Sequence, residues 1–176
     1  MNKSKTKAVI VGRFCPVHIG HEKVIRSMID NFGIDNCLVI IGSSNHLVSV
    51  LHFFSYTERR QFLSKIFPGL KLVGLPDYHD DAVWMTALDD ILSVSGMNPK
   101  DVVFYGGSRQ DIDFFYRFNR KVEIMNRFDG TTPEISATKV RDALIEKRPI
   151  DGLVNPLVIE EIKQCFSEKW EKFKKI

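Results

Sequence analysis

Five short apolar runs recur along this chain, each followed by a longer stretch with other spacing. The runs are residues 7–11 (KAVIV), 37–41 (CLVII), 71–74 (KLVG), 102–105 (VVFY) and 121–125 (KVEIM). Several are almost continuously apolar, as a strand must be when both faces of its sheet are covered. Helical patterns over residues 20–31, 57–66, 81–95 and 110–118 alternate with them. This alternation predicts an α/β fold with a doubly wound five-stranded parallel sheet. Ligands of such a sheet bind beyond the carboxyl ends of its strands.

Helix starts are marked in three places. Ser55-Tyr56-Thr57-Glu58 has capping-box spacing. Ser136 precedes a helix through Val140, Ala143 and Leu144 that ends before Pro149, and Asn155-Pro156 opens a last helix with Leu157, Ile159 and Ile162 as apolar positions. No repeat or linker divides the 176 residues, so residues 1–176 are read as a single domain.

Charge and cysteine content narrow the function classes. Twenty-five basic and 22 acidic residues give a net charge of +3. Part of that excess is Lys169, Lys172, Lys174 and Lys175, read as a solvated helix face. With no basic stripe interleaved with aromatics, nucleic acid is not the expected partner. No apolar stretch approaches membrane-spanning length, and the polar MNKSKTK start does not look like a signal peptide. Cys15, Cys37 and Cys165 are odd in number and lack CxxC spacing, which predicts a reduced, cytoplasmic compartment.

Residues 12–21, GRFCPVHIGH, directly follow the first run and carry the strongest chemical signal. Gly12 permits a tight turn, Pro16 stiffens the loop, and a helix start follows, an arrangement that offers backbone N–H groups to a phosphate. His18 and His21, three apart at that helix start, can face one anion. Gly20 between them leaves room for a ligand to approach the backbone.

A second motif, ISATKVR at residues 135–141, opens a late helix. Ser136 and Thr138 supply hydroxyls, and Arg141, one turn on, supplies a planar and permanently charged fork suited to phosphate oxygens. Alone, this motif is short and common.

Together the two stretches resemble the signatures of the HxGH nucleotidyltransferase superfamily, GRFxPxHxGH and ISxTxxR, and the first is closest to that of archaeal-type nicotinamide-nucleotide adenylyltransferases. The resemblance covers nearly the whole chain. It implies transfer of AMP from ATP to the phosphate of nicotinamide mononucleotide (NMN), giving NAD and pyrophosphate. It casts His18, His21 and Arg141 as the catalytic groups. It assigns Gly12, Arg13, Phe14, Gly20, Gly106, Arg127, Ser136 and Thr138 to the nucleotide, with Arg13 and Arg127 holding phosphates. Magnesium is expected to enter with ATP.

Residues 76–84, PDYHDDAVW, resemble the family segment that surrounds the nicotinamide. By that match Trp84 stacks on the pyridinium ring, Asp77 contacts the amide or ribose, and Asp81 stands where the family usually has asparagine. Trp84 also fits a half-buried helix position with Leu88 and Ile91, and the acidic residues fit a solvated loop and cap. Motifs constrain the nucleotide better than its acceptor. FMN, phosphopantetheine or another sugar or alcohol phosphate therefore stays open at this point, as does a non-catalytic nucleotide sensor. Relatives often assemble, and the final helix suits either internal packing or a homo-oligomer interface.

Overall fold

The computed structural model describes residues 6–49, 52–125 and 135–173. Five strands form one all-parallel sheet: β1 (Ala8–Gly12), β2 (Cys37–Ile41), β3 (Lys71–Gly74), β4 (Val103–Gly106) and β5 (Lys121–Ile124). Six helices accompany them: α1 (Ile19–Phe32), α2 (Tyr56–Ile66), α3 (Asp81–Val94), α4 (Arg109–Arg117), α5 (Ala137–Ile145) and α6 (Ile159–Phe173). The expected boundaries shift by a residue or two. The strand order β3-β2-β1-β4-β5 is that of a doubly wound sheet, so the chain reverses direction across the sheet between β1 and β4.

Pairing at that switch point opens a crevice. β1 and β2 stay in register to their ends, through Gly12 opposite Ile41. β1 and β4 pair only through Ala8 opposite Val103 and Val9 opposite Phe104. Beyond those two rungs the strands part, and the carboxyl end of each faces the gap.

Strand alternation divides the core between the two faces of the sheet. Ala8, Ile10, Cys37, Val39 and Ile41 pack with residues of α1, α2, α5 and α6, whereas Val9, Leu38 and Ile40 pack with α3 and α4. Every residue of β2 is buried, in keeping with its unbroken apolar run. β5, at the edge, is mostly exposed. Tyr105 ties β4 to α1 through its hydroxyl, which lies 2.8 Å from Ser27 Oγ and accepts from Asn31 Nδ2 at 3.2 Å.

Two expectations about the C-terminal part are corrected. Leu157 is 55% exposed, because residues 156–158 form a separate 3-10 turn before α6 begins, whereas Ile159 and Ile162 are buried as expected. Lys169 does not belong to a solvated face. Phe166 stacks on Phe53 at 4.5 Å and brings α6 against α2, where Lys169 pairs with Glu58 of the Ser55 capping box and lies 5.4 Å from the Phe54 ring centre. Lys172 is exposed, and Lys174 and Lys175 lie outside the described residues. No described helix is long and apolar enough to cross a membrane.

Candidate active site

The β1–β4 gap widens into a cleft of about 460 Å³ lined by the β1 loop, by Tyr105, Gly106 and Gly107 at the end of β4, and by the start of α5. Among the described residues its charged and ionisable lining comprises Arg13, His18, His21 and Arg141 together with the Cys15 thiol and the Tyr105 phenol, and includes no carboxylate. Such a lining favours a polyanion.

In the loop after β1 the tight turn is not made at Gly12. Gly12 still belongs to β1, and the left-handed residue of the turn is Phe14, at φ 49°. A phenylalanine in that region is strained, and burial of its ring holds it there. Gly12 serves this ring, since a Cβ at position 12 would come within 2.9 Å of Phe14 Cζ. The buried Phe14 ring in turn meets the edge of His21, with centroids 4.9 Å apart.

His18 is the N-cap of α1, 3% exposed, and its Nδ1 accepts the His21 backbone N–H at 3.4 Å. The two imidazoles stack with centroids 3.7 Å apart and planes 27° from parallel. Gly20 does not line the cleft; a Cβ there would lie 3.1 Å from the His18 ring, so this glycine makes room for the imidazole. The helix start itself also differs from expectation. The Ile19 N–H donates to Leu153 O at 3.0 Å and the His21 N–H to the His18 ring, so two of the first amides of α1 are used within the protein and both imidazoles line the cleft.

Arg141 joins the late motif to the early one. Its Nη1 donates to Cys15 O at 2.7 Å and its Nη2 to Thr138 Oγ1 at 3.1 Å. Ser136 caps α5 by accepting the Lys139 N–H at 3.2 Å. The cleft thus gathers Gly12, Arg13, Phe14, His18, His21, Gly106, Ser136, Thr138 and Arg141. Arg127 lies outside the described residues.

The acceptor-side residues divide. Asp81 and Trp84 line a second pocket of about 270 Å³ with Val11, Tyr78, Phe114 and Phe115. Val11 is common to both pockets. Trp84 is half-buried and meets Phe114 edge-on, at 5.2 Å and 87°. Asp77 does not line this pocket; its carboxylate lies 2.8 Å from His46 Nε2, and its backbone is held by Asn45.

The sequence places Arg59 at a helix start, in Ser55–Arg59 (SYTER), but gives it no role. It is 3% exposed and has no carboxylate partner among its hydrogen bonds. Its guanidinium donates to Arg13 O at 2.6 Å, Gly42 O at 2.8 Å, Ser43 O at 3.0 Å and Ser55 O at 3.3 Å. Burial lowers its pKa, yet the group stays charged. It clasps the loops after β1 and β2 to the start of α2. One local signal was present: a cation in the first turn of a helix opposes the helix dipole and calls for another reason to be there.

Comparisons with known proteins bear on this geometry. The cytidylyltransferase-like family model matches residues 9–143, well over half of the chain. A nicotinamide-nucleotide adenylyltransferase from Thermococcus onnurineus is 32% identical over 166 residues, covering 90% of this chain and 82% of that protein. The fold also matches a bifunctional NMN adenylyltransferase/ADP ribose pyrophosphatase from Francisella tularensis with a TM-score of 0.73 at 18% identity, over 85% of this chain and 45% of that one. A second crystal structure of that enzyme, complexed with AMP and a manganese ion, matches with a TM-score of 0.69 at 18% identity, over 93% of this chain and 51% of that one. The chain belongs to the cytidylyltransferase-like family, and within it to the nicotinamide-nucleotide adenylyltransferases.

Proposed function

We propose that the chain transfers AMP from ATP to NMN, forming NAD and releasing pyrophosphate, within a single nucleotidyltransferase domain spanning residues 1–176. The observation that carries this reading is the Arg141–Cys15 hydrogen bond. It places a fixed positive charge from the late motif in the same cleft as the stacked histidines.

In the reaction an oxygen of the NMN phosphate attacks the α-phosphorus of ATP in line. The new P–O bond forms as the bond from the α-phosphorus to the α–β bridging oxygen breaks, and that oxygen leaves with pyrophosphate. Little covalent chemistry is asked of the protein; alignment and stabilisation of charge on the equatorial and leaving oxygens are. Because His18 Nδ1 accepts a backbone N–H, its neutral tautomer keeps the proton on Nε2, as a donor for phosphate. His21, stacked on it, and Arg141 donate to the same charge. Arg13 holds phosphate at the cleft rim, and Arg127 is assigned the same task on the motif match alone.

Magnesium fits this site as part of the substrate. Among the described residues no three His, Cys, Asp or Glu side chains gather into a metal-binding group, and the cleft lining has no carboxylate. The ion would be held by phosphate oxygens and water, and would neutralise charge on the triphosphate. The manganese in the Francisella complex supports a divalent cation.

The aromatic pocket beside the cleft receives the acceptor's base, with the pyridinium over the Trp84 face. The free thiols of Cys15, Cys37 and Cys165 support a reducing, cytoplasmic setting. Burial pushes Cys37 and Cys165 to a pKa of about 11, which keeps both un-ionised at neutral pH.

The test is pyrophosphate release by the purified chain with magnesium-ATP and a panel of acceptors. NMN is expected to give stoichiometric NAD and pyrophosphate, with FMN and phosphopantetheine inert. Turnover with either of those and none with NMN would reassign the acceptor. Tight ATP binding without turnover on any acceptor would make the chain a sensor.

A further inference from the structure

The turn into α3, from Asp77 to Asp81, carries four closely spaced acidic and aromatic positions whose side chains do different jobs. Asp77 is engaged by His46. Asp80 is the N-cap of α3, its Oδ1 accepting the Ala82 and Val83 N–H groups at 2.8 Å and 2.9 Å. Asp81, next in the chain, is among the described residues the one acidic and the only charged residue that lines the aromatic pocket. Tyr78, Trp84, Phe114 and Phe115 form the rest of the wall with Val11.

We propose that Asp81 selects the amide over the acid form of the pyridine nucleotide: it accepts a hydrogen bond from the carboxamide of NMN and repels the carboxylate of nicotinic acid mononucleotide. This deepens the acceptor reading above and rests on it.

The chemistry of the pocket supports the choice. Four aromatic side chains suit a flat cation, and both nucleotides carry a pyridinium. They differ only in the ring substituent, which is a neutral N–H donor in one and an anion in the other. An ionised aspartate is an acceptor only, so it pairs with the amide and opposes the acid. An asparagine at this position would offer both a donor and an acceptor and lack the charge.

The arginine paired with Asp81 does not reverse this. Arg117 Nη2 lies 3.6 Å from Asp81 Oδ2, and both side chains are 65% exposed. The guanidinium sits over the Phe114 ring at 4.9 Å and does not line the pocket. From there it softens the aspartate's charge without presenting a partner to the acid.

The experiment compares kcat/KM for NMN and for nicotinic acid mononucleotide, with magnesium-ATP saturating, in the wild-type chain, Asp81→Asn and Arg117→Gln. The wild type is expected to favour NMN by on the order of 10²-fold, as sites with a fixed polar partner reject the mismatched analogue. In Asp81→Asn that ratio collapses roughly tenfold or more, chiefly through a gain with the acid. In Arg117→Gln the preference for NMN holds or widens. Equal use of both nucleotides by the wild type would overturn the proposal, as would an unchanged ratio in Asp81→Asn. So would selective loss of the acid substrate in Arg117→Gln, since the arginine would then be the carboxylate's partner. If neither pyridine nucleotide releases pyrophosphate while FMN or phosphopantetheine does, the acceptor reading itself fails and the selection falls with it.

Discussion

His21→Ala is expected to lower kcat roughly 10²–10³-fold, the usual consequence of removing one donor aimed at charge that develops in the transition state. Affinity for ATP should change only a few-fold. The expectation follows from where the ring sits. It lines the cleft, stacks on His18 at 3.7 Å and is braced by the edge of Phe14. A side chain held on two sides is preorganised, so its hydrogen bond to a developing charge needs little reorganisation at the moment of reaction. Loss of ground-state binding alone would instead raise KM and spare kcat. Steady-state NAD formation and equilibrium ATP binding, measured on the same preparation, separate the two outcomes. An unchanged kcat removes His21 from the mechanism.

The second large effect is structural in origin. Arg59→Met should cost about 3–5 kcal/mol of stability, because the carbonyls of Arg13, Gly42 and Ser43 lose a buried charged donor together. For a chain of this length that corresponds to roughly 10 °C in Tm. Arg59→Lys keeps the charge but has one nitrogen in place of a planar fork, so it cannot serve carbonyls on two loops and a helix cap at once. It should fold with an intermediate loss, and its KM for ATP should rise because Arg13 sits on one of the loops released. Thermal unfolding followed by circular dichroism checks the first part, and steady-state kinetics the second. A loss below about 1 kcal/mol in Arg59→Met would show that the clasp is dispensable.

The reason the sequence gives Arg59 no role marks the boundary of what local sequence can say. Its partners are backbone oxygens of residues 13, 42 and 43, and carbonyls leave no trace in the sequence. The strands, by contrast, were legible because burial on both faces demands unbroken apolar runs, and β2 matches its run residue for residue. The paired histidines were legible from their spacing. Their support was not: that Gly20 makes room for an imidazole depends on the His18 rotamer, and that Gly12 accommodates Phe14 depends on a left-handed residue two positions on. Asp77 and Asp81 look alike in sequence, and only the course of the loop turns one towards His46 and the other into the aromatic pocket. Lys169 looked like part of a solvated face because its partner, Glu58, lies more than a hundred residues away.

The proposed mechanism makes the two signatures one catalytic unit around a single triphosphate. The most direct test is a double-mutant cycle on kcat with His21→Ala, Arg141→Ala and the double variant. Groups that stabilise the same developing charge act non-additively. The double variant should therefore lose far less than the product of the two single losses. Losses that simply multiply would mean the early histidine and the late arginine act at independent places, and would contradict the account.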